Sequence, residues 1–208
     1  MKTVVKIVVV ALAMTLPSVG MAGKARYTPS SETNPPPKAP LSTFDRFEVL
    51  PVTIAPEFKK GEANQRALAR IQSEFDAKVL RLVDAWNKRP AAAETPRQLE
   101  IAPHVEKLKF VGGGARFWGG ALAGDSAVLM KVTLTDKATG TVVAEPEFYQ
   151  RAAAMGGAWT GGATDNAMLD RIADLVADYL ASNFDEAKGG PTGYSAVEKD
   201  QEEQEPKK

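Results

Sequence analysis

Cysteine is absent from all 208 residues of this chain. No disulfide framework can therefore stabilise the fold, and no cysteine is present to carry a lipid at an amino-terminal processing site. Histidine is nearly absent, because His104 is the single one, and this excludes a metal site built from several histidines. We expect a fold that is stabilised by packing alone, with no metal ion and no other cofactor.

An excess of charge of either sign is also missing. The chain has 26 basic and 26 acidic residues. Two of the bases and none of the acids lie in residues 1–22, so the remainder carries 24 bases against 26 acids. Nucleic-acid-binding proteins usually present a basic face that neutralises phosphates. We therefore do not expect a nucleic acid among the partners of this protein.

Long hydrophobic runs are missing everywhere except near the amino terminus. There, two lysines precede an apolar run over residues 7–16, and small residues follow at 20–22. This pattern is typical of a secretory signal peptide that is cleaved after Ala22. About ten apolar residues are too few for a transmembrane helix, which needs about 20. We expect an exported, periplasmic protein without a transmembrane span after cleavage; peripheral association with the outer membrane stays open.

The composition divides the rest of the chain into three parts. Residues 23–43 are rich in proline and poor in apolar groups, which predicts a disordered spacer. Residues 185–208 are polar and charged, which predicts a disordered tail. Residues 44–184 have the size and apolar content of a single globular domain.

Hydrophobic periodicity within 44–184 predicts the elements of that domain. Apolar residues recur every three or four positions over 62–88 and 165–184, which indicates two amphipathic helices. The acidic residues Asp170, Asp174 and Asp178 lie off the apolar stripe of the second helix and predict a solvated face. Alternating patterns indicate the strands. The expected fold is α/β, in the order β-α-β-β-β-α, with two helices packed on one face of a mixed, mostly antiparallel sheet of about four strands.

Two strands carry further information in their patterns. The first strand candidate, 44–55, has apolar groups on both faces, which predicts a position inside the sheet, although Pro51 indicates a strand end or bulge there. In the second strand, the apolar residues change parity between Val105 and Leu108. Such a change predicts a β-bulge near residues 106–107.

Two glycine-rich segments each contain a tryptophan. The segment VGGGARFWGGALAGDS contains Arg116, Phe117 and Trp118, and the segment AAAMGGAWTGGAT contains Trp159. A phosphate-binding loop is disfavoured, because the first segment leads into a strand and lacks the GK[ST] signature. If both segments lie at the same end of the sheet, these four residues form an aromatic surface with the composition of a protein interface. The alternative is that each tryptophan folds back over the core.

An enzymatic function has little support in the sequence. A serine hydrolase would have to use His104, with Ser126 or an acidic residue as its partner, and no nucleophile elbow accompanies it. We therefore predict no catalytic residues and no enzymatic activity, with a hydrolase centred on His104 as an alternative. A second alternative is a small-ligand binder with an apolar pocket between the sheet and the helices.

Four stretches together resemble a known family. They are FEVLPVTI, LKFVGGGARFWGGALAGDS, VTLTDKATGTVVAE and DRIADLVADYL. Their order resembles the bacterial domain of unknown function family 4410, an uncharacterised envelope family whose members often look like lipoproteins. This chain departs from that pattern because it has no cysteine. The resemblance does not transfer a function. Trp118, Trp159 and the missing catalytic motif instead lead us to expect a non-enzymatic binding or accessory module for another envelope protein or a cell-wall component; the oligomeric state stays open.

We predict that the exported protein begins at Gly23. When the full-length chain is expressed in a bacterial host, its intact mass should equal that of residues 23–208, and the protein should be released with the periplasmic contents. A mass that includes residues 1–22 would contradict the predicted cleavage. Replacing Ala22 with a bulky residue should block processing, since signal peptidase requires a small residue before the cut.

Overall fold

The computed structural model of this protein describes residues 28–91, 94–110, 126–152 and 163–195. Within these ranges the strands are β1 (Thr33–Asn34), β2 (Arg46–Val49), β3 (Thr53–Ile54), β4 (Gln98–Lys109), β5 (Ser126–Asp136), β6 (Thr141–Ala144), β7 (Glu147–Ala152) and β8 (Gly190–Pro191). The helices are α1 (Glu62–Phe75), a π-helical segment that continues it (Asp76–Leu80), α2 (Arg81–Asn87) and α3 (Ala163–Ser182). We refer to the continuous stretch from α1 to α2 as the first helix.

The main sheet is built on the antiparallel pair β4 and β5. β2 and β3 both pair with β4 in parallel, and the first helix makes the connection that parallel strands require. β6 and β7 both pair with β5 in antiparallel orientation. The sheet thus has six strands but is only four strands wide, because each edge consists of two short strands in line. The predicted α/β class and the predicted mostly antiparallel sheet are confirmed, with six strands where about four were expected.

Proline accounts for the division of both edges. Pro51 lies between β2 and β3, and Pro146 lies between β6 and β7. Proline has no N–H to donate to a ladder, so each edge is interrupted there. The expectation that 44–55 lies inside the sheet is wrong, because β2 and β3 form an edge. Their apolar side chains are instead covered by the first helix.

The predicted bulge is confirmed. The register of β4 against β5 shifts between Val105 and Lys107. The extra residue turns the strand, so that Leu108 joins Leu99, Ile101 and Val105 in one buried core. Without the shift, Leu108 would project from the opposite face of the sheet.

Both helices pack on the same face of the sheet, as predicted. The core on that face contains the alternate residues of β5 and the apolar stripes of the helices. Its helical members include Ile71, Phe75, Val79 and Val83 from the first helix, and Met168, Ile172, Val176 and Leu180 from α3. At the end of the sheet where β4 begins, Trp86 stacks on Phe184 with ring centroids 4.4 Å apart.

The ordered part of the chain extends past the limits predicted at 44 and 184. Residues 28–43 and 185–195 pack against the domain, so the prediction of disorder is wrong for these residues. β1 pairs with β8, and Leu41 enters the core. On the second face of the sheet, Tyr194 packs with Ala127, Leu129 and Tyr149. Composition failed here because these segments gain their partners from distant parts of the chain.

Side chains and chain ends satisfy the outward backbone groups of the edge strands. On one edge, Asn87 accepts a hydrogen bond from the Phe47 N–H at 2.8 Å and donates to its carbonyl at 2.9 Å. On the other edge, Asn34 bonds both backbone groups of Glu147 in the same way, each at 2.8 Å. Such coverage protects the edges against pairing with other chains.

Asn183 joins the amino-terminal and carboxy-terminal segments to α3. Its side chain is fully buried, and its amide donates to the carbonyls of Tyr179 and Gly189 at 2.7 and 2.9 Å. Its carbonyl oxygen accepts from the backbone of Lys188 and Gly189 at 2.7 and 2.8 Å. The Asn183 backbone carbonyl in turn accepts from Leu41. Nearby, the Tyr179 hydroxyl donates to the Pro35 carbonyl at 3.0 Å, and burial raises the pKa of Tyr179 to about 12.

We predict that Asn183→Ala lowers the free energy of unfolding by about 3 kcal/mol, because buried backbone groups lose their partners. Urea denaturation measures this difference. The neighbouring Ser182 is exposed and bonds nothing at this junction, so Ser182→Ala should change stability by less than about 0.5 kcal/mol. Equal effects of the two substitutions would contradict the role of Asn183.

Candidate functional site

Three adjacent strand ends lie at one end of the sheet. β4 ends at Lys109, β5 begins at Ser126 and β7 ends at Ala152. Lys109 pairs with Ala127, and Ser126 pairs with Ala152. Neighbouring strands are about 4.8 Å apart, so the ends of β4 and β7 on either side of β5 are separated by about 10 Å. We call this region, defined by Lys109, Ser126 and Ala152, the loop-bearing end.

Described residues next to both glycine-rich segments lie at the loop-bearing end. The first joins Lys109 to Ser126, and the second follows Ala152. The predicted binding residues Arg116, Phe117, Trp118 and Trp159 lie outside the described residues, and their role stays a prediction. The strand residues next to the two segments, Lys109, Ser126 and Ala152, lie at this end of the sheet, and a joint surface of the segments themselves stays a prediction.

The two helices run parallel, and each begins on the side of the loop-bearing end. Arg70 pairs with Asp170 and Lys78 pairs with Asp174, so both helices advance in the same direction. At the opposite end of the sheet, Phe184 follows α3 and lies against Trp86 of α2. Both helices therefore have their amino-terminal ends toward the loop-bearing end and their carboxy-terminal ends toward the opposite end of the sheet.

The contacts between the helices correct the expectation of a solvated acidic face. Asp170 accepts two hydrogen bonds from the Arg70 guanidinium at 2.5 and 2.6 Å, and this hydrogen bonding raises the pKa of Arg70. Asp174 contacts the Lys78 ammonium at 2.7 Å, and Glu74 contacts it at 3.2 Å. Burial disfavours the charge on Lys78, but the hydrogen bonds to Asp174 and Glu74 outweigh it and raise the pKa of Lys78. Two of the three aspartates thus join the helices.

α3 is also fixed to β7 beside the loop-bearing end. The Arg171 guanidinium donates to the Gln150 side chain at 2.7 Å and to the Arg151 carbonyl at 3.1 Å. This contact joins β7 to α3, the two elements that precede and follow the second glycine-rich segment. The contact fixes the third turn of α3 against the end of β7.

His104 lies on the face of the sheet opposite the helices. Thr53 Oγ1 is 2.8 Å from His104 Nδ1 and 3.2 Å from the Pro103 carbonyl oxygen. His104 is paired across the sheet with Lys131, five residues after Ser126 on β5. At about 3.4 Å per residue, this places Ser126 about 17 Å from the histidine along the strand. The predicted alternative of a hydrolase that joins His104 to Ser126 is wrong.

A pocket of about 370 Å³ opens at the edge of the sheet formed by β3, on the side where α1 begins. It lies between β3, the 3₁₀ turn at residues 56–58 and the first turns of α1. Its lining consists of Val52, Thr53, Ile54, Phe58, Lys59, Asn64, Gln65 and Leu68. The volume falls in the range of about 300–1,000 Å³ that small-molecule sites occupy.

The sequence allowed an apolar pocket between the sheet and the helices but did not predict which residues line this one. The segment with Phe58 and Lys59 reads as a simple turn, and Leu68 reads as one more residue of an apolar stripe. The pocket arises because Pro56–Phe58 forms a 3₁₀ turn that carries the chain from the sheet edge to α1. An aromatic residue beside two lysines in a turn was the signal available, and it is weak by itself.

Two classes of feature are absent from the part of the chain that the structure describes. No cluster of three or more acidic or histidine side chains there could hold a metal ion. No helix in the same ranges is long and apolar enough to cross a bilayer.

Comparisons with known proteins do not identify this chain. No protein-family model matches the sequence, and no curated protein matches it, so the resemblance to family 4410 is not confirmed. Among solved structures, a dodecameric PelC variant from Paraburkholderia phytofirmans is similar at 16% identity and a TM-score of 0.39, over 75% of this chain and 95% of that chain.

Two further solved structures show similarity of the same order. A protein of domain of unknown function family 330 from Xanthomonas campestris has 12% identity and a TM-score of 0.37, over 69% of this chain and 87% of its own. A candidate lipoprotein from Caulobacter crescentus has 17% identity and a TM-score of 0.30, over 68% and 90%. At these identities and scores, the similarities carry no argument about function.

We predict that the Arg70–Asp170 pair contributes more to stability than an exposed pair on the same helix. A double-mutant cycle with Arg70→Gln and Asp170→Asn should give a coupling of about 1 kcal/mol, because the contact is bidentate and partly shielded from water. The exposed Arg66–Glu62 pair, with side chains 72% and 89% accessible, is the matched control and should give about 0.3 kcal/mol. Equal couplings would contradict a role for Asp170 in joining the helices.

Proposed function

We propose that this protein is an exported, non-enzymatic module of the bacterial cell envelope that binds another envelope protein or a cell-wall component. The binding surface is formed by Arg116, Phe117, Trp118 and Trp159 at the loop-bearing end. The location in the periplasm follows from the predicted signal peptide, and peripheral association with the outer membrane is compatible with it.

The observation that carries this proposal is the adjacency of Lys109, Ser126 and Ala152. Because the segments 111–125 and 153–162 leave from neighbouring strands, their aromatic residues can contribute to one surface. Tryptophan and arginine are enriched among the residues that dominate binding energy at interfaces. Binding residues are often carried on loops that a rigid scaffold positions. Here the scaffold is the sheet with two helices joined by ion pairs.

The geometry around His104 favours this proposal over a hydrolase. Thr53 contacts the histidine, but a threonine hydroxyl on a strand needs a base, an oriented third group and an oxyanion site to act as a nucleophile. Thr53 Oγ1 also bonds the Pro103 carbonyl, an arrangement that fits a structural link between β3 and β4. The small-ligand alternative is favoured by the pocket beside α1, a second site that does not include the glycine-rich segments.

Crosslinking from defined positions in intact cells tests the proposed surface. The photoreactive residue p-benzoylphenylalanine replaces Trp118, Trp159 or, as a control, Thr139 in the turn between β5 and β6. Thr139 is exposed and lies at the opposite end of the sheet. Positions 118 and 159 should capture the same partner, and position 139 should not capture it. Capture of unrelated partners from 118 and 159 would contradict a shared surface.

A double substitution separates a binding surface from two lids on the core. Trp118→Ala with Trp159→Ala should abolish capture while the free energy of unfolding stays within about 0.5 kcal/mol of the natural protein. If the tryptophans instead cover the core, the same variant should lose roughly 3 kcal/mol or more per residue. That loss, measured by urea denaturation, would overturn the proposal.

A further inference from the structure

The pocket beside α1 has an apolar floor. Val52, just before β3, and Ile54 of β3 are buried there, with 7% and 5% of their surfaces accessible. Phe58 and Leu68 are half-buried, line the pocket and pack against the core. Apolar surface at the bottom of an open pocket favours the burial of an apolar group. The floor therefore selects for a hydrocarbon part in whatever binds.

The rim of the pocket is positively charged. Lys59 lines the pocket, Lys60 follows it, and both are exposed. The acids on either side are already neutralised, since Glu57 pairs with Lys107 at 3.6 Å and Glu62 pairs with Arg66 at 3.2 Å. Neither Lys59 nor Lys60 forms an ion pair with any residue in the described ranges. Two uncompensated positive charges thus stand beside an apolar floor.

We propose that this pocket binds a single-chain amphiphile with an anionic head group. The hydrocarbon chain would lie against Val52, Ile54 and Leu68, and a carboxylate or phosphate would contact the ammonium groups of Lys59 and Lys60. The Gln65 side chain, exposed at the mouth, can donate an additional hydrogen bond to such a head group. A cationic amphiphile of equal chain length would meet the same floor but would be repelled at the rim.

The site does not rest on the surface proposed for the glycine-rich segments. It is formed by β3, the 3₁₀ turn and the first turns of α1, and its lining residues all lie within the described range 52–68. Binding at the pocket and capture of a macromolecular partner can therefore be tested separately. The ligand class follows from the apolar floor and from the net positive rim, where the acids Glu57 and Glu62 are already paired with Lys107 and Arg66.

Calorimetric titration of the exported chain with dodecanoate, below the micellar concentration, tests the proposal. Dodecyl phosphate distinguishes a phosphate head from a carboxylate, and dodecyltrimethylammonium is the matched cation. We expect both anions to bind with one site per chain and the cation to bind about tenfold more weakly or not at all. Equal affinity for dodecanoate and dodecyltrimethylammonium would overturn the proposal, as would the absence of binding by both anions.

Variants identify the site. Lys59→Glu with Lys60→Glu should weaken dodecanoate binding by about tenfold or more, because attraction is replaced by repulsion. Lys88→Glu, with Lys88 exposed after α2 at the other end of the first helix, should leave the affinity unchanged. Leu68→Trp should abolish binding by filling the floor, and Gln65→Trp should do so by covering the mouth.

Gln65 is exposed, so Gln65→Trp keeps the test valid if Leu68→Trp fails to fold. Retained dodecanoate binding in folded Gln65→Trp would place the amphiphile elsewhere and overturn the proposal. The pocket could instead be covered in solution by a second copy of the chain. A dimer that Gln65→Trp dissociates, seen by analytical ultracentrifugation, would also overturn it.

Discussion

The pairing of β4 with β5, with its shift between Val105 and Lys107, is the constraint on which the rest of the fold depends. Both edges of the sheet are built on this pair, because β2 and β3 add to β4 while β6 and β7 add to β5. The shift keeps Leu99, Ile101 and Leu108 on one face along the whole length of β4. Only a continuous apolar face of this kind can be covered by two parallel helices.

Closure of the edges follows from the same arrangement. The sheet is four strands wide and has two edges. The outward backbone groups of each edge form hydrogen bonds with side-chain amides or with the segments that flank residues 44–184. On the first edge, Asn87 bonds the backbone of β2 and Gln72 bonds that of Val52. On the second edge, Asn34 and Thr192 bond the backbone of β7. A partner that added a strand at either edge would have to displace these bonds. Binding is therefore directed away from the edges and toward the ends and faces of the sheet.

The loop-bearing end combines several properties that favour binding. Strand ends from β4, β5 and β7 meet there, α1 and α3 begin on the same side, and the amphiphile pocket opens beside α1. The ion pairs of Arg70 and Lys78 join the two helices and involve none of the residues proposed for binding. On the second face of the sheet, Lys131 pairs with Glu106, and Glu48 pairs with Lys137 of the turn after β5.

Features that depend on neighbouring residues along the chain could be predicted from the sequence. The period of the apolar residues specified both helices, and the parity change after Val105 specified the bulge. These features follow from helix and strand geometry within a few residues, so no distant partner is needed to predict them.

Only the tertiary structure decided which distant groups meet. Residues 28–43 are too polar to fold by themselves, yet Asn34 finds the backbone of Glu147, and Pro35 accepts a hydrogen bond from Tyr179. An aspartate row on α3 became a link between helices only because Arg70 lies opposite. Local periodicity records which side of an element is apolar, whereas the identity of a long-range partner depends on the packing of the whole chain.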